Sequence, residues 1–131
     1  MDIVRFLLLF LIFLTVSCDP MYRVIARNDS SEDKQMDVLI ADNNALRYHP
    51  DSVSTLPNTG PKIAVKKNYQ DLSYSFFIPA KQQVIVNGGI NGPSKQFAII
   101  VNKTDSIYLK KKDKRVKTKR IGMGIDWTVT I

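Results

Sequence analysis

From residue 21 onward, the apolar residues of this 131-residue chain alternate with polar ones in short runs, parted by turn formers roughly every 8 to 12 residues. An amphipathic helix needs apolar residues three and four apart, and no stretch beyond residue 21 holds that period. "MYRVIAR" (21–27) sets Tyr22, Val24 and Ala26 against Arg23, Ile25 and Arg27, and "QMDVLIAD" (35–42) puts Met36, Val38 and Ile40 on one face. "LSYSFFIP" (72–79) ends at a proline, which cannot donate to a ladder. "KQQVIVN", "KQFAIIVN", "DSIYLKKK", "RVKTKRI" and the closing "IDWTVTI" follow, all rich in strand formers. "NDSSEDK" (28–34) reads as a loop, residues 43–61 as a long connection with a short strand near 46–49, "IAVKK" (63–67) as one short strand, and "NGGINGP" (87–93) as turn. The pattern predicts an all-β fold: a single small β-sandwich of about seven strands, immunoglobulin-like or transthyretin-like.

Before residue 21 the chain changes character. Every residue from 6 to 14 is Phe, Leu or Ile, and the run ends in "LTVSCDP", which holds the sole cysteine, Cys18. Such a run falls short of the about 20 residues that span a bilayer, but it fits the apolar region of a secretory signal peptide. With no second cysteine there is no intrachain disulfide, so packing alone must hold the folded part together.

"LTVSC" resembles a bacterial lipobox, with small Ser17 directly before the cysteine and Thr15 where Leu is usual. The resemblance implies a signal peptide over 1–17, cleavage before Cys18, a diacylglyceryl thioether on its sulfur and a further acyl chain, such as palmitate, on the new amino terminus. Residues 18–21 are then a lipidated start and short tether, and 22–131 the β-sandwich. Each buried methylene contributes about 0.8 kcal/mol, so two or three chains hold a soluble domain at a membrane. The thiol is consumed and cannot serve catalysis.

A broader resemblance rests on the order of features: a first strand ending in "RNDS", then "YHPD" (48–51), "IPAKQQVIV" (78–86), "FAIIVN" and the terminal "DWTVTI". Together they resemble small lipoproteins of unknown function common in Bacteroidetes, which implies a cell-envelope location, expected at the outer membrane on either its periplasmic or its surface face, while Asp19 directly after Cys18 resembles the inner-membrane retention signal of enterobacterial lipoproteins. The resemblance brings no catalytic residues with it. In that family the last strand usually follows extra, partly helical sequence, for which this chain has only "KRIGMG".

Chemistry-bearing groups are sparse. His49 is the sole histidine, which excludes a multi-histidine metal site, and with Asp51 it reads as a turn rather than a catalytic pair. "GGINGPSK" lacks the Gly-Lys-Ser/Thr ending of a phosphate loop, and Gly122 and Gly124 read as a turn before the last strand. Glu32 and Asp33 read as a solvated loop pair, and Asp42, Asn43 and Asn44 lack the spaced ligands of a calcium loop. No catalytic, metal or cofactor residue is assigned. An enzyme or enzyme inhibitor is the rival reading, its site built from His49 and the 87–93 turn.

Charge supplies the one functional lead. The net charge of +7 resides wholly in "KKKDKRVKTKR" (110–120), where Lys110, Lys111, Lys112, Lys114, Arg115, Lys117, Lys119 and Arg120 surround Asp113. A hairpin over 107–121 turning at Asp113 and Lys114 would place Arg115, Lys117 and Lys119 on one face as a cationic ribbon. Two uses follow: attraction to anionic glycan or lipid headgroups, or protection of an exposed edge strand from pairing. Nucleic acid fits less well, since Tyr108 is the one aromatic neighbour for base stacking. The sequence therefore points to a non-enzymatic, membrane-anchored binding or structural module of a Gram-negative cell envelope.

Overall fold

A computed structural model describes residues 3, 21–57, 60–90, 92–94 and 97–131. Cys18 and the expected signal peptide, Ile3 apart, lie outside the described residues. From Met21 on, the described residues form eleven strands in two sheets and one short helix, so the chain is all-β as its pattern predicts. The larger sheet runs β10 (Val116–Ile121), β11 (Gly124–Thr130), β1 (Met21–Arg27), β7 (Gln83–Ile90), β3 (Ser52–Leu56) and β4 (Ile63–Ala64). The smaller runs β5 (Lys66–Asn68), β6 (Ser73–Ile78), β2 (Lys34–Leu39), β8 (Ala98–Val101) and β9 (Asp105–Tyr108). Neighbours pair antiparallel except β1 and β11, which lie parallel side by side.

Alternation decides which side chains meet. Val24, Ala26, Val84, Val86 and Val129 of the larger sheet share one buried cluster with Met36, Val38, Tyr74, Phe76, Ile78 and Ile99 of the smaller. Burying each such aliphatic side chain is worth about 1.5–3 kcal/mol, and this cluster supplies the packing that an uncrosslinked chain needs. Ile25, on the face expected to be wetter, is only 5% exposed, because β1 is interior to its sheet and Ile25 lies between Thr128 and Ile85.

The "NDSSEDK" loop hangs on a fully buried Asn28. Its Nδ2 donates to the carbonyls of Glu32 (2.8 Å) and Ile78 (3.1 Å), while its Oδ1 accepts from the Ser30 amide (3.1 Å) and hydroxyl (2.7 Å). The Asn28 amide also donates to Gln82 O at 2.9 Å. One side chain thus ties the end of β1 to the end of β6, across the two sheets.

Several local expectations are corrected. The strand expected near 46–49 is a helix, α1 (Asn43–Tyr48): Asp42 caps it, its carboxylate accepting from Ala45 N at 2.8 Å, and Leu46 is buried in the core. Within the same long connection, "SVSTL" is a strand, β3, whose Val53 and Thr55 point inward. "IAVKK" is two strands in different sheets, β4 and β5, divided at Val65, whose amide donates to Asp51 O at 2.9 Å. Gly88 and Gly89 lie in β7 rather than in a turn. A Cβ at Gly88 would meet Tyr22 O at 3.0 Å, and one at Gly89 the Tyr22 ring at 3.1 Å, so β7 needs glycine to lie against β1 there. The described residues hold eleven strands against the about seven expected, with β3 and the split strand among the additions.

The hairpin expected over 107–121 does not form. β9 pairs with β8 in the smaller sheet and β10 with β11 in the larger, so residues 109–115 cross between sheets. Buried Leu109 and the tight bonds around Asp113 favour the crossing over a ribbon that would bury neither face. The hairpin that does form joins β10 to β11 through Gly122, whose φ of +59 is the conformation its lack of a side chain permits.

Candidate functional site

The crossover divides the basic segment. Lys110, Lys111, Lys112 and Lys114 are exposed on the connection between sheets, with the Lys111 ammonium 4.2 Å from the centre of the Tyr108 ring. Lys117 and Lys119 project from the outer face of β10, an edge strand, in register with Thr128 and Asp126. Arg120 is exposed near the far end of the strand. The five steps from Val116 to Ile121 rise about 17 Å, beyond the about 8–10 Å over which charges act in physiological salt. The cations therefore do not form one ribbon: four lysines lie on the crossover before β10, and Lys117, Lys119 and Arg120 are spread along the strand.

Arg115 belongs to neither as a free charge. Its Nε (3.0 Å) and Nη2 (2.8 Å) donate to the two carboxylate oxygens of Asp113, its amide donates to Asp113 Oδ1 at 2.9 Å, and Nη1 reaches Asp105. The one acid in the basic run is a clamp on the crossover, and Arg115 is neutralised by two carboxylates. Hydrogen bonds from Arg115 lower the Asp113 carboxyl to about 2. A carboxylate held below its unfolded value stabilises the fold above about pH 4, and that contribution fades as pH falls through about 2. The pair is open to water, so Asp113→Asn is expected to cost about 1 kcal/mol at pH 7. Urea titrations should show the difference shrinking between pH 4 and pH 2, and a difference independent of pH would refute the clamp.

Around His49 the structure forms a cleft of about 280 Å³, lined by His49, Pro50, Ser52, Ser54, Asn87 and Gly88 among others. It exists because β3 pairs with β7 only over Ser54–Leu56, while the β7 register against β1 shifts at Val86 and frees that residue's carbonyl. Val86 O accepts from the Tyr74 hydroxyl at 2.5 Å and lies 3.2 Å from His49 Nε2. The imidazole stacks on the buried Tyr74 ring at 3.9 Å, and its Nδ1 is 2.8 Å from Pro50 O. Burial raises the Tyr74 phenol well above its usual range, which keeps it neutral and donating. Both imidazole nitrogens are directed at main-chain oxygens, and Asp51 turns away to Lys67 at 3.0 Å, so the His49 and Asp51 pair is not assembled.

Across the outer face of the larger sheet, Arg23 holds Asp126 bidentately, with Nε to Oδ1 at 2.8 Å and Nη2 to Oδ2 at 2.6 Å. Sequence reading missed this pair because its members stand 103 positions apart and the parallel β1 and β11 pairing was not anticipated. Among the described residues, no three His, Cys, Asp or Glu side chains gather where they could hold a metal ion. Comparison of the chain with protein-family models, with curated proteins and with solved structures finds no match. The geometry therefore has to speak for itself.

Proposed function

We propose that this chain is a bacterial envelope lipoprotein: a β-sandwich of immunoglobulin or transthyretin type, tethered through lipidated Cys18 and acting as a non-catalytic binding or structural module. The observation that carries it is a lone cysteine that closes an apolar run only three residues before the first residue of β1. Two or three acyl chains then make attachment durable, where one would bind reversibly.

The rival reading, a loop-built active or inhibitory site, draws support from the cleft that brings His49 together with Asn87 and Gly88. It is the weaker of the two. A general base needs a nitrogen facing the substrate, and both of His49's face carbonyl oxygens. The loop cations Lys110, Lys111, Lys112 and Lys114 leave a role in holding anionic glycan open to the same module.

Metabolic labelling with a palmitate analogue tests the anchor. The wild-type chain should incorporate label and lose residues 1–17. Cys18→Ala should abolish incorporation and accumulate full-length precursor, and undiminished labelling of that variant would sink the proposal.

A further inference from the structure

Ile121, Gly124, Met21 and Ile90 stand in one transverse row across four neighbouring strands, β10, β11, β1 and β7, by the register of their pairing. Three carry large apolar side chains, exposed by 49% at Ile121, 68% at Met21 and 59% at Ile90. Met123, 61% exposed, extends the row from the adjoining turn. Strand alternation sends Ile121, Met21 and Ile90 to the outer face of the larger sheet, the face that carries Lys119 and Arg23 two residues further in. Arg120 stands beside them at the same end. Scattered apolar residues on a surface need no explanation, but four at one end of a sheet, bordered by cations, do.

This end is also where the chain enters. Only Asp19 and Pro20 separate Cys18 from Met21. Three residues reach at most about 11 Å, so a lipid on Cys18 holds this end of the sheet at the headgroups whatever the rest does. We infer that Met21, Ile90, Ile121 and Met123 form a docking face for the bilayer, entering the boundary between headgroups and acyl chains while Lys119 and Arg120 meet anionic headgroups. Interfacial elements of this design bury their apolar side about 5–10 Å deep. Lys110, Lys111, Lys112 and Lys114, at the opposite end of β10, are held away from the surface and remain open to solution.

The inference rests on the anchor proposed above, and one experiment separates the two. The full chain carrying Met123→Cys, processed and reconstituted into phosphatidylglycerol vesicles, has a single thiol, since the Cys18 sulfur is a thioether. A fluorophore there should be quenched by acyl-chain doxyl lipid. The same fluorophore at Phe77→Cys, 60% exposed on the outer face of the smaller sheet, should not be. Lys119→Gln with Arg120→Gln, or high salt, should lower the quenching at position 123.

Equal quenching at the two positions, or none at either, overturns the docking face. So does disulfide cross-linking of position 123 between two copies in place of quenching, which would make this a self-association surface. Palmitate incorporation without selective quenching leaves the anchor and removes the docking face. Without incorporation the anchor falls, and the docking face is then decided by the same quenching with Cys18→Ala added to each labelled variant, so that the introduced thiol is again the single one.

Discussion

Tyr74→Ala is expected to lower the free energy of unfolding by about 4 kcal/mol, the loss typical when a buried aromatic side chain is cut back to a methyl group. Tyr74 is fully buried in β6, where its ring stacks on His49 and lies near Phe76 while its hydroxyl donates to Val86 O across to the larger sheet. Tyr74→Phe separates these contributions. It keeps the ring and strands the Val86 carbonyl with only His49 nearby, so it should cost about 1 kcal/mol. Urea denaturation followed by the fluorescence of Trp127, the one tryptophan, reads both values. If Tyr74→Phe proved as damaging as Tyr74→Ala, the hydrogen bond and not the packing would hold the sheets together at this point.

Asn28→Ala should cost about 3 kcal/mol, because truncation takes the Asn28 donor from the buried side of the Ile78 carbonyl, removes the acceptor of the Ser30 amide and hydroxyl, and leaves Glu32 O with the Ser30 hydroxyl. Asn28→Asp is the sharper comparison. It nearly preserves shape and the acceptor for Ser30, yet turns a carboxylate oxygen toward two carbonyls, so its loss should exceed that of Asn28→Ala at pH 7 and shrink in acid as the carboxyl protonates. The same urea titration at pH 7 and pH 4 reads it. A small loss for both variants would mean that water readily takes the place of the amide.

β2 is legible in the sequence because inward Met36 and Val38 stand out against Gln35 and Asp37, and β1 and β6 are legible from their β-branched and aromatic residues although Ile25 and Phe77 break the alternation. β3 is not, since "SVSTL" is mostly small polar residues and acquires its strand from pairing with β7. α1 is too short to show a period, and only the capping Asp42 announces it. Partners distant in sequence are the main loss. Nothing local tells Tyr108 to stay with β8 or Val116 to leave for β11, so a basic run that looks like one ribbon is divided between two sheets. For the same reason the pairing of Arg23 with Asp126 and the apolar row from Ile121 to Ile90 appear only once four strands stand side by side.

The parallel seam between β1 and β11 also bears on the order in which this molecule can come into being. Residues that meet there, such as Arg23 and Asp126, are 103 positions apart, and the entropy of closing such a loop must be met before the seam returns any stabilisation. A chain delivered N-terminus first, from a ribosome or through a translocation pore, holds β1 with one flank unpaired until residues 124–130 emerge. The larger sheet is thus completed only once the last strand is available, so the middle of that sheet depends on the final residues of the chain.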